Sequence, residues 1–440
     1  MLLFKYHSRS EYIRTMNVYA VIILAALLGD FALKLAANLL NLKSLKLEPP
    51  PDLQGIYKPD EYRKSQQYLR VTTDFNLIES TFSLLVLLVF WFAHGFSWFN
   101  QIVAGWHFVP VVAGLFYIGI LFLVYSLLKL PFSIYSTFVI EERFGFNKTT
   151  ARTFVTDLIK AVILGAVLGG LLLAGVLYLF QYVGTFAWLY CWGAMIVFSL
   201  AVQFVAPTWI MPLFNKFTPM APGELKDAIL KYAGSVNFPV KNIFVIDGSK
   251  RSSKSNAFFT GFGRNKRIAL FDTLIAQQTV PEMVAVLAHE VGHYKKKHIL
   301  TGMVISILHT GLLLFLLSLF LSNQGLYHAF YLTGMPVYAG ILFFGLLYTP
   351  IELVLSIGMQ MISRVHEYAA DRFAAETVEN PANLADALKK LSAGSLSNLT
   401  PHPFYVFLNY SHPPLLQRIR AIKAVKRGDV SPPAAETAPN

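Results

Sequence analysis

The sequence predicts a mainly α, polytopic membrane protein of seven transmembrane helices carrying a small α+β segment on one side of the bilayer. Three observations carry this reading. The 440 residues are 55% hydrophobic and only 14% charged, with a mean hydropathy of +0.50, whereas a soluble domain carries about 25% charged residues. Seven runs have the length of about 20 apolar residues that one crossing needs, near 16–40, 76–96, 108–130, 156–180, 185–211, 299–322 and 336–363. Finally, the lysines and arginines separate by side once those runs alternate across a membrane.

One side receives residues 1–15 and the connections near 97–107, 181–184 and 323–335, with 3 Lys/Arg in all. The other receives 41–75, 131–155, 212–298 and everything after 363, with 31. Lys34, Lys129 and Lys160 lie inside spans. Basic loops remain in the cytoplasm, so the N-terminus is expected outside and the large loop and C-terminal tail inside. Six or eight spans would scramble this asymmetry. Orientation also accounts for the formal charge of +12, and no basic-aromatic module points to nucleic acid. The sequons at Asn147, Asn398 and Asn409 face the cytoplasm in this topology, so no glycans are expected. The only cysteine, Cys191, lies in an apolar run, which excludes a disulfide framework and a thiolate metal site.

Taken in order, the first run follows a basic stub without a small-residue cleavage site and reads as an anchor. Spans four and five are close enough for a tight hairpin. The expected divisions are 1–211 for spans one to five, 212–298 for a cytoplasmic segment, 299–363 for spans six and seven, 364–427 for a second cytoplasmic segment, and 428–440 for a disordered tail. Within the first cytoplasmic segment, 223–234 reads as a helix and 242–247 as a strand. AFFTGF and 267–272 read as a hairpin closed by Gly263-Arg264-Asn265-Lys266. After the seventh span come an amphipathic stretch, Pro381 to Leu391, and a loop around Pro401 to Pro403.

The chemistry concentrates in Thr279 to His298, TVPEMVAVLAHEVGHYKKKH. Thr279 and Glu282 have capping-box spacing, Pro281 sits in the first turn, and lysines gather at the C-terminal end of the dipole. The HExxH pattern of His289, Glu290 and His293 therefore falls mid-helix, where residues four apart share a face and both imidazoles reach one ion with Glu290 beside them. A catalytic zinc site normally takes three protein ligands and a water. The third is expected from Glu367-Tyr368-Ala369-Ala370-Asp371, directly after the last span and on the same predicted side. Of Glu367 and Asp371, one carboxylate can bind the metal while the other orients a ligand histidine; His366 is a rival ligand pointing about 100° away from Glu367. His293 is six residues before Ile299, so at 1.5 Å per residue the metal is expected roughly 9 Å from the start of the sixth span. One zinc ion, with Glu290 as general base, points to hydrolysis of a peptide substrate at the cytoplasmic membrane boundary.

HEVGH and EYAAD, with STFVIEERFGFNK (136–148), PLFNKFTP (212–219), DGSKRSSKSNAFFTGFG (247–263) and SHPPLLQRI (411–419), closely resemble type I CAAX prenyl proteases, which are integral-membrane zinc endopeptidases. The similarity covers roughly residues 15–425. It implies His289, His293 and Glu367 as zinc ligands and Glu290 as general base. It further implies Asn256 as a residue holding substrate backbone, His412 as a stabiliser of the tetrahedral oxyanion, and Arg418 as a neighbour of the second carboxylate, Asp371. It also implies a large water-filled chamber enclosed by the spans, and a lipidated protein substrate. From the residues alone, Asn256 could cap a loop and His412 could be a turn residue; an exposed edge at Asn256 could pair with an extended peptide. Asp30, Lys34, Glu79, Lys160 and Glu352, costly in lipid, suggest a polar interior.

Two alternatives remain at this point. A quality-control protease without prenyl substrates would suit a bacterial cytoplasmic membrane, which the loop lengths and the lack of a dilysine signal favour over an endoplasmic reticulum membrane. A transporter or channel with a structural metal would use four protein ligands and no adjacent base.

Overall fold

The computed structural model describes residues 17–46, 48–240, 242–260 and 267–425, apart from the side chains of 257–260 and 267. The turn expected at Gly263–Lys266 and the tail from Gly428 lie outside the described residues.

Among the described residues, seven helices are long and apolar enough to cross a membrane: Val18–Lys43, Pro59–Phe92, Pro110–Glu141, Ala151–Tyr182, Gly184–Leu213, His298–Phe320 and Val337–Thr377. Several outrun the apolar run that announces them, because polar turns at their ends continue the helical hydrogen bonding beyond the hydrophobic stretch. The seventh, at 41 residues, is the extreme case. Spans four and five form the expected hairpin, with Gly184 in the left-handed region at φ 79°, a conformation that glycine adopts without strain.

Spans three to seven contact one another in a closed circuit, third to fourth, fourth to fifth, fifth to sixth, sixth to seventh and seventh back to third, while the first packs on the second and the seventh. In spans two, four and five only 6% of the apolar window is buried, so most of their surface faces lipid or the inside of the ring rather than a packed core.

The connections expected as loops at 97–107 and 323–335 contain helices instead, Gly95–Gly105 and Gln324–His328. Aromatic side chains there find more contact as short helices across the bundle end than as solvated loops. Trp91 Nε1 donates to the Ala329 carbonyl at 2.8 Å, and the Phe330 and Phe343 rings stack at 3.9 Å. Together with Phe96, Tyr117 and Tyr327 they form an apolar plug at this end.

At the opposite end a four-stranded sheet has the order β1-β2-β4-β3, with β1 at Phe217–Pro219, β2 at Asn242–Ile246, β3 at Ala257–Thr260 and β4 at Arg267–Phe271. β3 runs antiparallel to β4 as the hairpin reading requires, and β2 is parallel to β4, with Asn242 opposite Arg267. Helix Glu224–Ser235 covers the sheet through Ile229, Tyr232 and Ala233. The stretch from Pro381 forms helix Ala382–Gly394, and the loop near Pro401 leads into a short helix, Pro403–Asn409, that the sequence reading did not anticipate.

The HEVGH stretch is helix Val280–Lys295, with Met283, Leu287 and Val291 buried against Ile268, Leu270 and Ala374. Its start is held by Glu282, whose Oε2 accepts from the Thr279 N–H at 2.7 Å and from Lys390 Nζ at 2.6 Å. Lys297, at φ 59°, then turns the chain before the sixth span begins at His298. The axial arithmetic from His293 into the span therefore fails, because the two helices are separate rather than continuous.

Burial opposes the Glu282 charge, but the Lys390 ammonium and the Thr279 cap outweigh it and hold the carboxyl below its ordinary value of 4.5. A depressed carboxyl stabilises the fold above its unfolded value and loses that contribution as pH falls through the folded one. Glu282→Gln should therefore cost about 1 kcal/mol near neutrality. In thermal melts across a pH series, the gap to the parent protein should close below pH 4.5.

Candidate metal centre

Three side chains meet between the helix Val280–Lys295 and the seventh span. His289 Nε2 lies 3.1 Å from His293 Nε2 and 3.4 Å from Glu367 Oε2, and His293 Nε2 lies 3.2 Å from Glu367 Oε1. Tetrahedral ligands about 2.0–2.1 Å from a zinc ion sit about 3.3 Å apart, so the spacing fits a shared ion. Glu367 Oε2 is buried and accepts no hydrogen bond among the described residues, the condition of an oxygen reserved for a cation. These three are the His/Glu group able to hold a metal among the described residues.

The two helices come this close because Gly292 has no side chain. A Cβ there would stand 3.0 Å from the Ala370 Cα and 3.1 Å from its carbonyl oxygen. The glycine of HEVGH thus sets the separation of the backbones that carry the ligands.

Asp371 Oδ1 lies 2.9 Å from His289 Nδ1, which places the ring proton on Nδ1 and leaves Nε2 free as a ligand. Arg418 forks onto the same carboxylate, Nε to Oδ2 at 2.8 Å and Nη2 to Oδ1 at 2.6 Å. Burial works against a charged His289, yet the Asp371 and Glu367 carboxylates raise it to about 9. A pocket that holds a proton so firmly is electronegative and favours a cation. Burial raises the Glu290 carboxyl, against the pull of both imidazoles.

Of the remaining residues singled out in the sequence, His412 reaches the site, with Nε2 3.4 Å from Glu367 Oε1 and Nδ1 2.9 Å from Ser411 Oγ. Asn256 lines a cavity of about 150 Å³ with His289, Glu290, Glu367 and His412. His366 stays outside the ligand group; its ring stacks on His298 at 4.0 Å. Sequence reasoning missed His298, whose Nδ1 lies 3.0 Å from His293 Nδ1; its position at the first residue of the sixth span, five after His293, was the available signal.

A larger cavity of about 1150 Å³ leads from the metal site between spans six and seven, with His309 and Glu352 paired at 2.9 Å in its wall. The other charges inside spans also find partners: Lys34 with Asp30 at 2.7 Å, Lys129 with Glu79, and Lys160 with the Leu213 carbonyl at 2.7 Å.

Comparison with known proteins now adds to this geometry. Residues 38–216 match the model for the CAAX prenyl protease N-terminal region of five membrane helices, and residues 219–426 match peptidase family M48. "CAAX prenyl protease 1" of Saccharomyces cerevisiae is 38% identical over 404 residues, covering 86% of this chain and 88% of the yeast protein. The chain belongs to the CAAX prenyl protease family. A "Probable CAAX prenyl protease 1" of Schizosaccharomyces pombe is 36% identical over 92% of this chain and 88% of its own length. The human "CAAX prenyl protease 1 homolog" is 31% identical over 86% and 89%. The crystal structure of S. mikatae Ste24p superposes with a TM-score of 0.87 at 36% identity, covering 92% of this chain and 99% of that one. Like its family, the chain is a multi-pass membrane metalloendopeptidase.

Gly292→Val forces a branched side chain into the closest backbone approach at the site. Overpacking of this kind costs about 1–3 kcal/mol. Bound metal per chain, measured by mass spectrometry after dialysis, should fall severalfold even in protein that remains folded.

Proposed function

We propose that this membrane metalloendopeptidase is a zinc enzyme that cuts prenylated C-terminal tails of the CAAX type at the cytoplasmic face of the membrane. The observation that carries the reading is the meeting of His289, His293 and Glu367 at tetrahedral ligand spacing, with Glu290 on the same helix. Two imidazoles and a carboxylate are a donor set suited to zinc. Support for the substrate comes from the relatives' names. It comes also from the larger cavity, where Leu300, Met303, Met359 and Ile362 offer an apolar wall to a lipid arm beside His289 and Glu290. The 31 basic residues gathered on the side of the metal segments support the cytoplasmic orientation.

A bound zinc ion supplies Lewis acidity to the attacking water and the scissile carbonyl. Glu290 takes the proton from that water and passes it to the departing amine; a carboxyl raised by burial is better matched to both steps than an exposed one. His412, hydrogen-bonded to Ser411 at Nδ1, offers Nε2–H to the carbonyl oxygen as negative charge develops. Asn256 binds the substrate backbone across the small cavity, and extended substrate adds to the edge of β3. Asp371 and Arg418 keep His289 in the tautomer that leaves Nε2 to the metal.

With a farnesylated peptide and the purified full chain, Glu290→Gln should retain one zinc per chain and lose at least about 100-fold in kcat, the low end of what general acid–base groups contribute. Undiminished cleavage by this variant would reject the assigned base. The same peptide without its lipid should show a higher KM on the parent enzyme; equal KM values would reject the prenyl preference.

A further inference from the structure

The segment from Gly248 to Asn256 carries three cations that the metal chemistry leaves unused, Lys250, Arg251 and Lys254, and the last two are tied to the membrane spans. Arg251 forks onto Asp157 of the fourth span, Nε to Oδ2 at 2.7 Å and Nη2 to Oδ1 at 3.0 Å, and Nη2 donates again to the Phe214 carbonyl, just past the fifth span, at 2.6 Å. Lys254 Nζ donates to Glu141 Oε2, at the end of the third span, and to Tyr68 Oη of the second, each at 2.8 Å. The Tyr68 hydroxyl closes the triangle by donating to Glu141 Oε1 at 2.5 Å, and the Lys254 ammonium stands 4.3 Å from the Phe146 ring centre. The backbone follows the same course: Lys148 N–H donates to the Arg251 carbonyl at 3.0 Å and Ser253 N–H to the Phe146 carbonyl at 3.1 Å.

On its other flank this segment is bound to the soluble sheet. Thr273 Oγ1 donates to the Lys254 carbonyl at 3.1 Å and Phe271 N–H to the Asn256 carbonyl at 3.2 Å. One short strap therefore joins spans two to five to β3, the outer strand of the sheet. Its last residues, Ser255 and Asn256, line the small cavity with His289, Glu290, Glu367 and His412, and the Ser255 hydroxyl oxygen is buried without a hydrogen-bond partner among the described residues.

Exposed ion pairs contribute little to stability, but these are partly buried, shared among three or more groups, and directed at one nine-residue segment that ends at the metal site. An extended peptide that pairs with a strand edge has its cleaved bond set by register, and a slip changes which bond faces the base. We propose that Arg251 and Lys254 are positioning residues: they tie the start of β3 to the membrane spans and so fix which peptide bond of the substrate stands before Glu290. This rests on the peptide-hydrolysis reading above, and cleavage of the same peptide by the unmodified enzyme checks that reading separately.

The test compares Lys254→Met, Tyr68→Phe and Lys254→Arg in the zinc-loaded full chain, with a farnesylated peptide and mass spectrometry of the products. Lys254→Met should raise KM about tenfold with zinc content unchanged and should cut bonds next to the one used by the parent. Tyr68→Phe, which removes only a hydroxyl, should show the same trend more weakly, and Lys254→Arg should restore a single product. Unchanged KM and a single cleavage site in both Lys254→Met and Tyr68→Phe would overturn the proposal. So would loss of activity that tracks loss of zinc with no new cleavage site.

Discussion

Everything at the metal site depends on two backbones nearly touching. His289 and His293 stand on one helix and Glu367 on another, separated in the chain by the sixth span and most of the seventh, and imidazole and carboxylate arms are too short to bridge an ordinary helix separation of 8–10 Å with all three ligand atoms in register. Gly292 removes the obstacle. The buried face of the same helix, Met283, Leu287 and Val291, then holds that approach through the core it shares with β4 and Ala374. The Asp371–Arg418 pair supplies the orientation that packing alone does not, since apolar contact cannot choose between the two nitrogens of a histidine.

Much of this was legible in the sequence because it follows from short-range periodicity. The number of spans came from apolar run lengths, the placement of HEVGH from its cap, and the pairing of ligand helices from topology together with EYAAD. What stayed hidden depends on distant contacts. The helix Gly95–Gly105 is stabilised by aromatic packing with residues near 330, which no local pattern announces. The break at Lys297 adopts a backbone conformation that lysine seldom favours, so neither propensity nor charge marks it. Asn256 and His412 lie in irregular segments whose residue types fit turns equally well, and only family resemblance drew attention to them. Lys254, Glu141 and Tyr68 were invisible for a simpler reason: three separate segments contribute one residue each.

The membrane part follows a different economy from the soluble part. Its spans share little buried surface, and the polar groups within them are paired, Lys34 with Asp30 and Lys129 with Glu79 as ion pairs and His309 with Glu352 through a hydrogen bond. A ring of helices closed at one end by aromatic packing can hold an open interior, because its rigidity comes from the plug and from the soluble sheet at the other end rather than from a central core. The strap through Arg251 and Lys254 adds a second tie between those two halves, beside the packing of the HEVGH helix on the seventh span.

The two sides of the metal site are mounted differently. Glu367 rides on a helix of 41 residues, about 60 Å long, that runs from the far side of the bundle into the site. The imidazoles sit on a separate helix that is joined to its span through a knuckle at Lys297. The two mounts meet where Gly292 lies against Ala370, so the spacing of the ligands is set at one backbone contact rather than by the length of either helix.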